Sequence, residues 1–134
     1  MRTQVRALLL AATLAVQPVT ATPAAEPLSG PYGGDRVNAT FTERGARLEF
    51  DCAAAEIDGA VRPGPDGSFR ASGRYLADHP GPIEGKAAAR AVPARFSGHL
   101  EGDELRLDIA IESHTAGHTL TLVRGKRVKL VRCL

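Results

Sequence analysis

The chain has 134 residues, 14 of them Gly and 9 Pro, with 43% hydrophobic but only 4% aromatic side chains and no Trp. That suffices for one small core and leaves no room for two. Its 17 Lys and Arg stand against 15 Asp and Glu, and setting aside Arg2 and Arg6 in a removable leader leaves 15 of each sign. A neutral chain with alternating charges, as at Arg44, Arg47, Glu49 and Asp51, has no basic footprint, so neither nucleic acid nor a membrane is expected as a partner of the mature protein.

Residues 1–21 read as a secretory signal peptide. Arg2 and Arg6 precede the apolar run 7–16, and Val19-Thr20-Ala21 offers small side chains before a cut. The run stops at Gln17-Pro18, short of the roughly 20 apolar residues a spanning helix requires. No Cys precedes Cys52, so a lipid anchor on a thiol near the cut has no attachment point. The expected location is secreted or periplasmic, and the Arg-, Ala- and Gly-rich composition points to a bacterial source.

Residues 22–34 carry Pro23, Pro27, Pro31 and Gly33-Gly34 without apolar periodicity and read as a leader into a single domain, 35–134. From there apolar residues recur with period two, the mark of half-buried strands, and nowhere hold a helical period. The spacing predicts strands over 36–42, 46–52, 56–61, 68–76, 94–101, 104–112, 119–124 and 128–133. Leu48, Phe50 and Cys52 are expected to face inward together, as are Ile57, Gly59 and Val61. Leu105, Leu107, Ile109 and Ile111 form the cleanest stripe. About eight antiparallel strands suit an all-β fold, a small up-and-down barrel of the lipocalin or avidin kind, with a two-sheet sandwich as the alternative. Gly59, Gly73 and Gly98 favour the barrel, whose walls must bend.

The two cysteines, Cys52 and Cys133, both fall in the exported part, where an oxidising compartment favours a disulfide. In the last predicted strand Val128 and Leu130 fall on one face and Cys133 on the other, so a bulge or a bridge at the barrel end is required. The interruption 77–92, cut by Pro80 and Pro82, is a surface insertion or a binding loop, with Asp78 and His79 as candidate contact residues.

Several short segments recur together: Tyr32-Gly33-Gly34, Glu49-Phe50-Asp51-Cys52, Gly73-Arg74-Tyr75, His79-Pro80-Gly81-Pro82, Pro93-Ala94-Arg95-Phe96-Ser97-Gly98, Leu122-Val123-Arg124-Gly125 and Cys133-Leu134. In this combination the chain resembles a group of small exported bacterial proteins to which no activity is assigned. The resemblance runs from Tyr32 to Leu134 and implies a β-rich exported domain with no catalytic residue to carry over.

The chemistry-bearing patterns are sparse. His114 and His118, four residues apart across a turn, are the one metal-like spacing, but zinc takes at least three protein ligands and only His79 or His99 could add an imidazole. Ser72, Ser97 or Ser113 could be named as a nucleophile with a His and an Asp, but the Gly-x-Ser-x-Gly elbow is absent and the strand serines alternate onto the expected outer face. Glu49 with Asp51, and Asp103 with Glu104, read as solubilising charge. No cofactor and no enzymatic activity are expected. The expected role is an exported binding module for a small apolar ligand or an envelope protein. The alternatives are an envelope inhibitor or structural protein acting through its loops, then a metal-dependent enzyme using His114 and His118.

Overall fold

The computed structural model describes residues 9–18, 26–77, 91–112 and 114–131. Among them there is no helix. Eight antiparallel strands follow in chain order: β1 (Gly30–Gly34), β2 (Val37–Thr42), β3 (Gly45–Phe50), β4 (Ala53–Asp58), β5 (Ser68–Ala77), β6 (Ala91–Glu101), β7 (Glu104–Ile111) and β8 (His118–Arg124). Each pairs with the next and β8 returns to β1, so the sheet closes as an up-and-down barrel and the sandwich alternative is set aside.

Alternation along most strands makes the wall two-sided. On β7, Leu105, Leu107, Ile109 and Ile111 are buried while Arg106, Asp108 and Ala110 face out. Val37, Ala39 and Phe41 of β2, Leu48 of β3, Phe96 of β6 and Leu122 of β8 complete the interior. Each such large side chain removed from water is worth about 1.5–3 kcal/mol, which makes this stripe set the main driving force for closure. Two glycines permit the wall to bend. A Cβ on Gly73 would lie 1.8 Å from the Glu56 carbonyl oxygen across the β4–β5 pair, and one on Gly98 would lie 2.3 Å from the Phe69 ring, which stands opposite it in register.

Four expectations are corrected. Gly30–Gly34, read as part of the leader, is β1, because its one large apolar side chain, Tyr32, enters the core while Gly33 and Gly34 pack on backbone and leave no periodicity to read. Gly59 does not bend a wall: it follows β4 with φ +80° and donates to the Arg44 carbonyl at 3.1 Å. Cys52 lies not on the core side but exposed in the bend after β3, since β3 ends at Phe50. Residues 128–131 are not a barrel strand, because β1 already occupies the place beside β8.

Those residues instead form a strap on the outside of the barrel. The β1–β8 seam is thin, with only Tyr32↔Arg124 and Gly33↔Val123 in register. The chain leaves β8, donates from the Gly125 amide to the Pro31 carbonyl at 2.8 Å, and passes so near Gly33 that a Cβ there would lie 2.3 Å from the Lys126 oxygen. It then meets Asn38, whose side-chain amide donates to the Val128 carbonyl at 2.7 Å and accepts from the Val128 amide at 2.9 Å. Asn38 thus does the work of a strand backbone from an outward-facing side chain, and the strap lies across the seam.

The barrel has two unlike ends. One carries the turns at 43–44 and 102–103 and the long connection 59–67, and it is covered by Leu28 and Val61, both buried and joined by an amide-to-carbonyl bond of 2.8 Å. At the other lie the turn 35–36, the bend 51–52, the end of β5 at Ala77, the start of β6 at Ala91, the end of β7 at Ile111 and the start of β8 at His118. Every core residue falls within 28–122, whereas Leu9, Leu10, Leu14 and Val16 are more than nine-tenths exposed.

One interior polar atom stands out. The Tyr32 hydroxyl is buried with no hydrogen-bond partner among the described residues, its ring edge-on to Phe41 at 5.3 Å and beneath the Arg124 guanidinium at 5.6 Å. An unsatisfied buried hydroxyl costs about 1–3 kcal/mol. Tyr32→Phe is therefore expected to raise the thermal midpoint by about 4–8 °C for each kcal/mol recovered, measured by circular dichroism. A fall in the midpoint would show that an interior water or ligand holds the hydroxyl.

Candidate functional site

The end opposite Leu28 is a mouth lined by rings. Phe50 at the end of β3, Tyr75 near the end of β5 and His118 at the start of β8 all sit on the inward face, opposite Val37, Ala55 and Ile109 in the register of their neighbours. Those three residues are buried and form the floor. Phe50 and Tyr75 are half-buried, and His118 is exposed at the rim.

The rings meet one another across the mouth. His118 stacks on Tyr75 with centroids 5.9 Å apart and planes at 22°, and it stands 6.2 Å from Phe50. Phe50 and Tyr75 are 6.5 Å apart, and His114 from the β7–β8 turn meets Tyr75 edge-on at 6.0 Å. Offset and edge-on pairs of this kind hold each other in place. Among the described residues these ring contacts involve no carboxylate, and the two imidazoles stand beside the apolar rings of Phe50 and Tyr75.

The candidate residues from the sequence divide clearly. His114 and His118 come together on Tyr75. Asp78, His79, Ser113 and Cys133 lie outside the described residues. His99, opposite Ser68 and Arg106, is on the outer wall toward the other end, so it is no third ligand for the histidine pair. Among the described residues no group of three or more His, Cys, Asp or Glu side chains converges. Ser72 and Ser97 face outward from β5 and β6. Phe50 and Tyr75 join the histidines in this ring cluster, which the sequence does not reveal because bringing them together requires the pairing of the strands.

The acidic pairs are occupied by arginines. Glu49 lies 3.4 Å from Arg47, Asp103 3.5 Å from Arg124 and Glu104 3.4 Å from Arg106. Asp51, next to Cys52, accepts the Val131 amide at 2.8 Å and the Arg36 guanidinium. The Val131 hydrogen bond, then Arg36, hold its carboxyl below the ordinary 3.8 against the opposing effect of desolvation. Asp51 is thus the strap's second anchor, after Asn38, and brings residue 131 beside the bend that holds Cys52.

Comparison with family models, curated proteins and solved structures returns no match for this chain.

Proposed function

We propose that this chain is an exported binding module that takes a small apolar ligand, or an apolar side chain of a protein partner, at the ring-lined mouth. The observation that carries the reading is the convergence of Phe50, Tyr75, His114 and His118 at the one barrel end that Leu28 and Val61 do not cover. Apolar pockets with a few polar groups at the edge are the ordinary form of small-ligand sites. The connection between Ala77 and Ala91, with Asp78 and His79, begins and ends at the same mouth. That placement favours a loop that contributes to binding, and it supports capture of an envelope protein through this loop as a second reading.

Export is part of the proposal. Its support is the basic start, the apolar run and the exposure of Leu9, Leu10, Leu14 and Val16 away from the core. A Cys52–Cys133 disulfide is proposed with it, supported by the Asp51 anchor at Val131, two residues before Cys133, and by the absence of a free cysteine among the described residues.

Native mass spectrometry of protein recovered from the exporting host is the test. The expected result is a species heavier than the denatured chain by a discrete mass, which Tyr75→Ala and His118→Ala both lose while keeping their thermal midpoints within a few degrees. Deletion of residues 84–90 should leave that added mass in place if the mouth itself binds. Equal native and denatured masses, together with no response of the Tyr75 ring protons to titrated 8-anilinonaphthalene-1-sulfonate, would overturn the mouth reading.

A further inference from the structure

The strap has an outer face that the fold alone does not require. Val128 and Leu130 are half-buried against the barrel, whereas Lys126, Arg127, Lys129 and Val131 are exposed. From Arg127 onward the segment alternates, with its apolar residues inward and two cations and a valine outward. Val131 is 68% exposed and Val123, just before the strap, is 39% exposed. On the folded domain these two are the exposed large apolar side chains among the described residues, and they bracket the three cations.

The cations are also unengaged. Lys126, Arg127 and Lys129 make no ion pair among the described residues, although the neighbouring wall is rich in carboxylates. Each of those carboxylates already has an arginine. Glu49 has Arg47, Glu56 has Arg47 at 2.8 Å and Arg74 at 2.7 Å, Asp58 has Arg74, and Asp51 has Arg36. Arg36, Arg47 and Arg74 thus serve four carboxylates on this wall, and the three strap cations outnumber the one negative charge left unmatched there. A sequence sum cannot register this, which is why the near-neutral total predicted no anionic surface as partner.

We propose that the strap is a docking surface for an anionic lipid surface. Cations flanked by exposed apolar side chains fit a lipid headgroup layer, where the cations meet phosphates and the valines enter the acyl boundary. The strap runs along the outer wall, so the barrel would lie on its side against the lipid. This site is separate from the mouth and does not depend on it.

Co-sedimentation of the chain from Thr22 onward, which holds every strand and every core residue, tests the proposal with phosphatidylcholine vesicles that contain or lack phosphatidylglycerol. Binding is expected only with phosphatidylglycerol and is expected to fall as salt is raised, because exposed charges are screened over about 8 Å at physiological ionic strength. Replacing Lys126, Arg127 and Lys129 together by Gln should weaken it about a hundredfold with an unchanged thermal midpoint, and Val131→Ser should weaken it several-fold. Tyr75→Ala should leave it unaltered, so failure here and failure at the mouth are distinguishable. No sedimentation with phosphatidylglycerol, or full sedimentation of the triple variant, overturns the proposal. Retention on heparin without vesicle binding also overturns it and assigns the strap to an acidic polysaccharide.

Discussion

Gly73→Ala is expected to cost about 3 kcal/mol or more, enough to lower the thermal midpoint by at least about 12 °C in a domain of this size. The added methyl would stand 1.8 Å from the Glu56 carbonyl oxygen, and the next nearest atoms are also backbone, the Glu56 carbonyl carbon at 2.8 Å and the Ile57 Cα at 3.0 Å. A side chain could rotate away from such an overlap, but a strand backbone cannot retreat without lengthening the β4–β5 ladder, where Ile57 is opposite Gly73 and Glu56 is opposite Arg74. The same movement would pull Glu56 from Arg47 and Arg74. Gly64→Ala is the control: its nearest neighbour would be the tip of the Asp66 side chain at 3.3 Å, so a change within about 0.5 kcal/mol is expected. Equal midpoints for the two variants would show that the barrel wall can relax at Gly73 and that its bend has another cause.

The bend was legible in sequence because a glycine inside an alternating strand is a recognisable exception, and so was the stripe of β7. What could not be read was set by distant residues. Gly30–Gly34 is a strand because β2 and β8 supply its partners and because Gly33 leaves room for the strap, and Gly-Pro-Tyr-Gly-Gly contains nothing periodic to announce it. Conversely, residues 128–131 alternate like a strand and are held like one, yet by the Asn38 side chain and Asp51 rather than by a neighbouring backbone. The count of eight was therefore right with one member displaced from the end of the chain to its beginning. At the mouth, the His114–His118 spacing was visible as a pattern, but its meaning depends on Tyr75 and Phe50, which arrive from β5 and β3. The packing of both imidazoles on Tyr75, with no third ligand beside them among the described residues, is a relation that exists only in three dimensions.

The second large effect is expected at Cys52, and it turns on the strap. Closing a loop of about 80 residues removes denatured-state entropy worth about 4.5 kcal/mol in the chain-entropy description, an upper figure for a domain whose whole stability is of order 5–15 kcal/mol. Cys52→Ser should therefore lower the thermal midpoint by about 10–20 °C, and the wild type should show the same loss in reductant while the variant shows none. Intact mass measured without reductant, two daltons below the reduced chain, provides the independent check of the bridge. The position of Cys52 adds a further consequence. Because it is exposed in the bend beside Asp51, the bridge would pin the end of the strap and not the core, and Asn38 would then act on a tethered segment. In the bridged protein Asn38→Ala should cost about 1–3 kcal/mol, since the Val128 groups remain half-buried and lose both partners. With Cys52→Ser in place, the strap can lift away and expose those groups to water, so the same substitution should cost less. A double-mutant cycle with a coupling of at least about 0.5 kcal/mol is expected. Strict additivity would mean that the strap stays seated without the bridge, and that the seam between β1 and β8 is held by its hydrogen bonds alone.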